Sequence, residues 1–133
     1  MLYPMAFMVL LTFIVGAVAF VVRLSSYKAG EVGIKYFKLM QGQEVPEMLT
    51  KTTRCFNNQF EVPVLFYAAC TLYLSLHVDS VVGLVFAWLF VGFRYVQAYV
   101  HLTYNHLLHR MSAFWLAFFC GIALWIDLVF QTA

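Results

Sequence analysis

The sequence predicts an all-α protein, a four-helix transmembrane bundle with both termini on the non-cytoplasmic side. Of its 133 residues, 64% are hydrophobic and only 11% are charged. The mean hydropathy is +0.85, which leaves too little polar surface for a water-soluble globule of this length. Four apolar stretches approach the roughly 20 residues needed to cross a bilayer. Lys and Arg crowd into alternate connections, the bias shown by cytoplasmic loops.

The first span is expected over about residues 2–22. It lacks a basic start and a small-residue cleavage site, so it reads as a retained span and not as a removable signal. The connection 23–54 carries Arg23, Lys28, Lys35, Lys38, Lys51 and Arg54. Gly30, Gly33 and Gly42 separate its short apolar pieces, which suggests a cytoplasmic loop lying along the membrane surface. Val45-Pro46-Glu47 has the form of a helix opening, with proline in the first turn and an acid at the positive end of the helix dipole. Further spans are expected over about 56–78, 81–100 and 111–130. The second connection, His77-Val78-Asp79-Ser80, holds no Lys or Arg, whereas the third adds Arg110. Connections one and three therefore face the cytoplasm, and residues 1–133 form one membrane domain in contact with lipid.

Cys55, Cys70 and Cys120 form no CxxC pair and read as packing residues. His101, His106 and His109 have no carboxylate or cysteine at ligand spacing, so no metal site is expected. Trp88, Trp115 and Trp125 read as packing or lipid-facing groups, and nothing indicates nucleic-acid binding.

Two polar stretches interrupt this apolar background. At about 100° per residue, Arg54, Asn58 and Glu61 fall at about 0°, 40° and 340°, one narrow helix face. Pro63 follows. Its missing N–H leaves the carbonyl of Gln59 unpaired and bends the helix, so this turn requires a donor that lipid cannot supply. In the third helix Arg94, Gln97, His101 and Asn105 share a second polar face, while Tyr95 and Tyr99 form a neighbouring hydroxyl-bearing one. Glu61 and Arg94 are expected at one depth, which permits a buried structural ion pair. A pair alone does not require Arg54, two tyrosines and His101 nearby. That surplus of donors points to an anionic polar ligand admitted from the cytoplasm.

At these residues the chain resembles the MAPEG family, the membrane-associated proteins of eicosanoid and glutathione metabolism. The likeness rests on Arg54-x-x-x-Asn58-x-x-Glu61-x-Pro63, on Arg94-Tyr95-x-Gln97-x-Tyr99, and on the four-helix layout. The longer Arg54 to Tyr67 stretch and His101-Leu-Thr-Tyr-Asn105 resemble the largely uncharacterised bacterial branch. The resemblance implies a homotrimer in a bacterial inner membrane, with glutathione as co-substrate between subunits. It implies Arg54, Asn58, Glu61, Arg94, Tyr95 and Tyr99 as the glutathione-binding residues. Eicosanoid-forming members activate the thiol with an arginine beyond the third-helix tyrosines, where an ungapped alignment places His106. Arg110 lies four residues on and Arg23 ends the first helix, so the catalytic group stays open among Arg23, His106 and Arg110.

Two functions from different classes follow. One is a glutathione transferase or peroxidase acting on lipophilic electrophiles at the cytoplasmic side of the bilayer. The other is a non-catalytic small subunit of a larger membrane complex, with the Arg54/Asn58/Glu61/Arg94 cluster as structural glue or a lipid-headgroup site. An ion path is disfavoured, because no polar residue continues through Phe86 to Phe93.

Overall fold

The computed structural model describes residues 1–42 and 44–133. Six α-helices follow one another among the described residues: α1 (Leu2–Lys28), α2 (Ile34–Leu39), α3 (Glu47–Asn57), α4 (Val62–Ser75), α5 (Val81–Leu102) and α6 (Leu107–Thr132). Helices α1, α5 and α6 are long and apolar enough to cross a membrane. Phe13, Phe20, Val81, Phe119 and Phe130 are all exposed on the protein surface. Apolar exposure on that scale belongs against hydrocarbon and not against water. The chain is an integral membrane protein.

The expected second span, about 56–78, is divided. Pro46 caps α3 and Glu47 opens it, as its acid-after-proline start predicts. After Asn57 the chain makes one 3₁₀ turn, Asn58–Phe60, and Glu61 leaves the helical region at φ −97°, ψ −103° before α4 begins. Pro63 sits in the first turn of α4. There its missing N–H costs nothing, but a helix continued through it would drive its ring into the Gln59 carbonyl. The sequence reading of a bend is thus realised as a full break. The expected loop 23–54 is more ordered than predicted. It contains the last turn of α1, all of α2 and most of α3, with Val32, Tyr36 and Leu49 buried in a small apolar cluster of their own.

The main core runs between the long helices. Met8, Leu11, Val15 and Ala19 form the buried stripe of α1, and Phe66, Ala69, Cys70 and Tyr73 that of α4. Helix α6 turns Ala113, Ala117 and Cys120 inward, small side chains that let α5 approach closely. Phe66 and Phe90 stack with centroids 4.5 Å apart.

At the end bearing the termini, a polar knot joins three helices. The Tyr73 hydroxyl donates to Asp127 Oδ2 at 2.6 Å and also lies 3.1 Å from the Leu124 carbonyl. Ser80 caps α5, its Oγ accepting from the Gly83 N–H at 3.0 Å. A Cβ on Gly83 would lie 2.7 Å from the Tyr73 hydroxyl oxygen and 2.9 Å from Asp127 Oδ2. Gly83→Ala is therefore expected to cost about 1–3 kcal/mol through overpacking and to lower the thermal unfolding midpoint in detergent. Gly92, where an added Cβ would meet nothing within 4 Å, is the control, and Gly92→Ala should leave the midpoint unchanged or raise it.

Candidate functional site

The break between α3 and α4 places the polar residues of this region around a cleft at the end of the bundle opposite the knot. Arg54, Asn57, Asn58 and Glu61 line one side, Gln97 and His101 of α5 line the back, and Arg110, Met111 and Phe114 of α6 close the other side around about 340 Å³. The cleft is open to solvent. The Arg54, Asn58 and Glu61 face read from the helical period is thus brought together, although a 3₁₀ turn interrupts that helix.

Arg94 lies directly behind this lining and not in it. Its side chain is 1% exposed, with Nη1 donating to Gln97 Oε1 and Nη2 donating to the Asn58 carbonyl at 2.7 Å. The donor that the broken turn requires is therefore this guanidinium. It serves the Asn58 carbonyl and not that of Gln59, the one a simple proline bend would leave open. Gln59 is itself buried, its Nε2 donating to the Cys55 carbonyl at 3.2 Å.

The Glu61–Arg94 ion pair that a common depth permits is not formed. Among the described residues the salt bridge is Lys51 to Glu47 at 2.7 Å, one helical turn apart on α3, and Glu61 is exposed in the cleft. Arg94 thus carries its charge in the interior on neutral acceptors, and its Nε has no partner among the described residues. Buried charge without a directly bonded carboxylate is costly and favours an anion in adjoining space. The cleft adds Arg54 and Arg110 to Glu61, so cations outnumber acids there. His101 is 3% exposed, and its Nδ1 likewise lacks a partner among them. Burial pushes the Cys55 thiol up to about 11 against the opposing pull of Arg94 and Arg110, so Cys55 stays a protonated packing residue at neutral pH.

The tyrosines go elsewhere. The Tyr95 hydroxyl donates to the Phe7 carbonyl of α1 at 2.8 Å, and Tyr99 is 66% exposed; neither lines the cleft. Asn105, expected on the polar face of the third helix, lies beyond the end of α5 with φ +48°. From that turn its Oδ1 accepts from Arg110 Nη1 at 2.8 Å. Of the three catalytic candidates, Arg110 alone lines the cleft. His106 is exposed and packs against His109 at 4.5 Å, while Arg23 reaches Thr53 Oγ1 at 3.4 Å. Among the described residues no group of three His, Cys, Asp or Glu side chains forms a metal site. Asn57, Met111 and Phe114 escaped the sequence reading. The i, i+4 spacing of Arg110 and Phe114 is the signal that links the latter to the site.

Comparison with known proteins identifies a family. The model of the MAPEG family matches residues 1–130. No curated protein and no solved structure matches the chain.

Removing the Arg94 donor leaves the Asn58 carbonyl unsatisfied, so Arg94→Gln should lower stability by about 1–3 kcal/mol, read as a fall in thermal midpoint without any ligand. In a Pro63→Ala background the helix can close the broken turn itself, and the same Arg94 substitution should cost less. Equal costs in both backgrounds would show that Arg94 does not serve the break.

Proposed function

The chain belongs to the MAPEG family, and on that premise we propose that it binds glutathione in the polar cleft and transfers it to, or reduces with it, lipophilic electrophiles. The observation that carries this reading is the buried Arg94 without a carboxylate partner among the described residues, behind a cleft lined by Arg54, Arg110 and Glu61. Glutathione presents two carboxylates, an amine and a thiol. Arg54 suits a carboxylate as a two-pronged donor, Glu61 suits the amine, and Asn58 and Gln97 offer hydrogen bonds to the peptide groups. A thiol donor arriving from water and an electrophile dissolved in lipid meet at this boundary.

Within this reading the thiol is served by Arg110 and not by His106. Arg110 is oriented by Asn105 and faces the cleft, whereas His106 stands outside it. The thiol gives its proton to water in the open cleft, the adjacent guanidinium favours the thiolate, and as its sulfur bonds to the electrophilic carbon the displaced group, chloride from chlorodinitrobenzene, leaves with its bonding pair. Tyr95 and Tyr99 lie on other faces of the protomer, so they join the ligand only across a subunit boundary. This is the supporting argument for a homotrimer, with α3 and the connection 103–106 at the cytoplasmic face of a bacterial inner membrane. The non-catalytic reading draws on one observation, the withdrawal of His106 from the cleft.

Glutathione at millimolar concentration should raise the thermal midpoint of the detergent-solubilised protein by mass action on the folded state. Arg54→Ala and Glu61→Ala should each abolish that rise while the unliganded midpoint moves little. Absence of any rise in the unaltered protein removes the glutathione reading.

For catalysis, turnover of chlorodinitrobenzene should fall about a hundredfold in Arg110→Gln, a loss typical of removing one group that stabilises developing negative charge. The remaining rate should climb with pH as the unaided thiol ionises, and His106→Ala should keep the unaltered rate. Stabilisation by glutathione without turnover in the unaltered protein would instead favour the non-catalytic subunit.

A further inference from the structure

A second recess lies outside the cleft, where α2 rests beside the polar end of α1. Phe20, Arg23, Leu24 and Tyr27 of α1 and Ile34 and Phe37 of α2 line about 390 Å³ there. On α1 these residues follow the i, i+3, i+4, i+7 pattern of one helix face, and on α2 they are three apart. The wall is apolar apart from one guanidinium and one phenol, and no acid among the described residues lines it.

Arg23 is the unusual member. It is half-buried, its Nε is sealed from solvent without a partner among the described residues, and its Nη2 approaches the Thr53 hydroxyl only to 3.4 Å. A long, marginal hydrogen bond does not compensate a charge in such surroundings. Lys28, Lys35 and Lys38, each next in sequence to a lining residue, are exposed and outnumber the exposed Glu31 between the two helices, so the local potential is positive. Polarity is graded along α1. Phe20 lies toward the apolar middle of the helix, while Arg23, Tyr27 and Lys28 approach its polar end.

An amphiphile with an anionic head and a hydrocarbon tail matches that gradient, the tail running over Phe20 toward the apolar middle of α1 and the phosphate meeting Arg23 toward the Tyr27 end of the groove. We propose that the groove between α1 and α2 is a binding site for one anionic phospholipid, with Arg23 as its phosphate-holding residue. This assigns Arg23 a task separate from the polar cleft, which it does not line, and it stands whether or not glutathione binds.

The test is native mass spectrometry of the delipidated protein offered equal phosphatidylglycerol and phosphatidylcholine with identical chains. The unaltered protein should retain one phosphatidylglycerol per chain in preference to phosphatidylcholine. Arg23→Gln should reduce that preference about fivefold, the effect of one basic group at an anionic surface. Lys35→Gln and Lys38→Gln should reduce it less, because neither side chain lines the groove. Ile34→Glu, at a position 61% exposed, places an acid in the groove without disturbing the core and should remove retention even if Arg23→Gln fails to fold. Equal retention of the two lipids by the unaltered protein, or undiminished phosphatidylglycerol retention in Ile34→Glu, would overturn the proposal.

Discussion

The hydrogen bond from Arg94 to the Asn58 carbonyl holds the polar end of this bundle together. Pro63 forbids a continuous helix through Gln59, and a broken helix leaves carbonyls on its inner side that its own backbone no longer satisfies. A guanidinium from α5 supplies the donor at 2.7 Å. Its other arm engages Gln97, which lines the cleft. The break, the polar face of α5 and the cleft wall are consequently one construction, and the charge that closes the break is the same charge that makes the cleft suitable for an anion.

The two ends of the bundle use polarity in opposite ways. At the end with the termini, Tyr73 and Asp127 satisfy each other over Gly83, a close approach that admits no side chain there. That arrangement is self-contained and locks α4, α5 and α6. At the other end Arg54, Glu61 and His101 face an open cleft, and buried nitrogens of Arg94 and His101 stay without partners among the described residues. Polar groups that close on each other stabilise a fold, whereas polar groups left aimed at a cleft are available to a ligand.

Part of the cleft lining was legible before folding, although Arg94, Tyr95 and Tyr99 do not line it. Arg54, Asn58 and Glu61 share a face by helical period, and they meet in the cleft because a single 3₁₀ turn disturbs that period only slightly. Gln97 and His101 were readable in the same way. Asn105 was misplaced because Thr103 and Tyr104 form a turn, and α5 ends before Asn105 can continue its stripe. Asn57, Met111 and Phe114 gave no strong signal, since an amide beside a charged motif and apolar residues in a span look like ordinary packing until a cavity forms beside them. The division of the loop 23–54 into helices was obscured by its glycines, although Tyr36 and Leu49 find enough apolar contact to anchor them.

The residue order by itself determined that this chain resides in a membrane, where the three long apolar helices α1, α5 and α6 run, and that polar groups of two helices lie at one depth. These properties follow from composition and from a period local to each helix. Only the tertiary structure decided the pairings: Arg94 with the Asn58 carbonyl and not with Glu61, Arg110 with Asn105, Tyr95 with α1. A helical period specifies the direction of a side chain about its own axis but not the rotation of one helix against another. Nor does it reveal which backbone carbonyl beside a proline a buried guanidinium will reach, here that of Asn58.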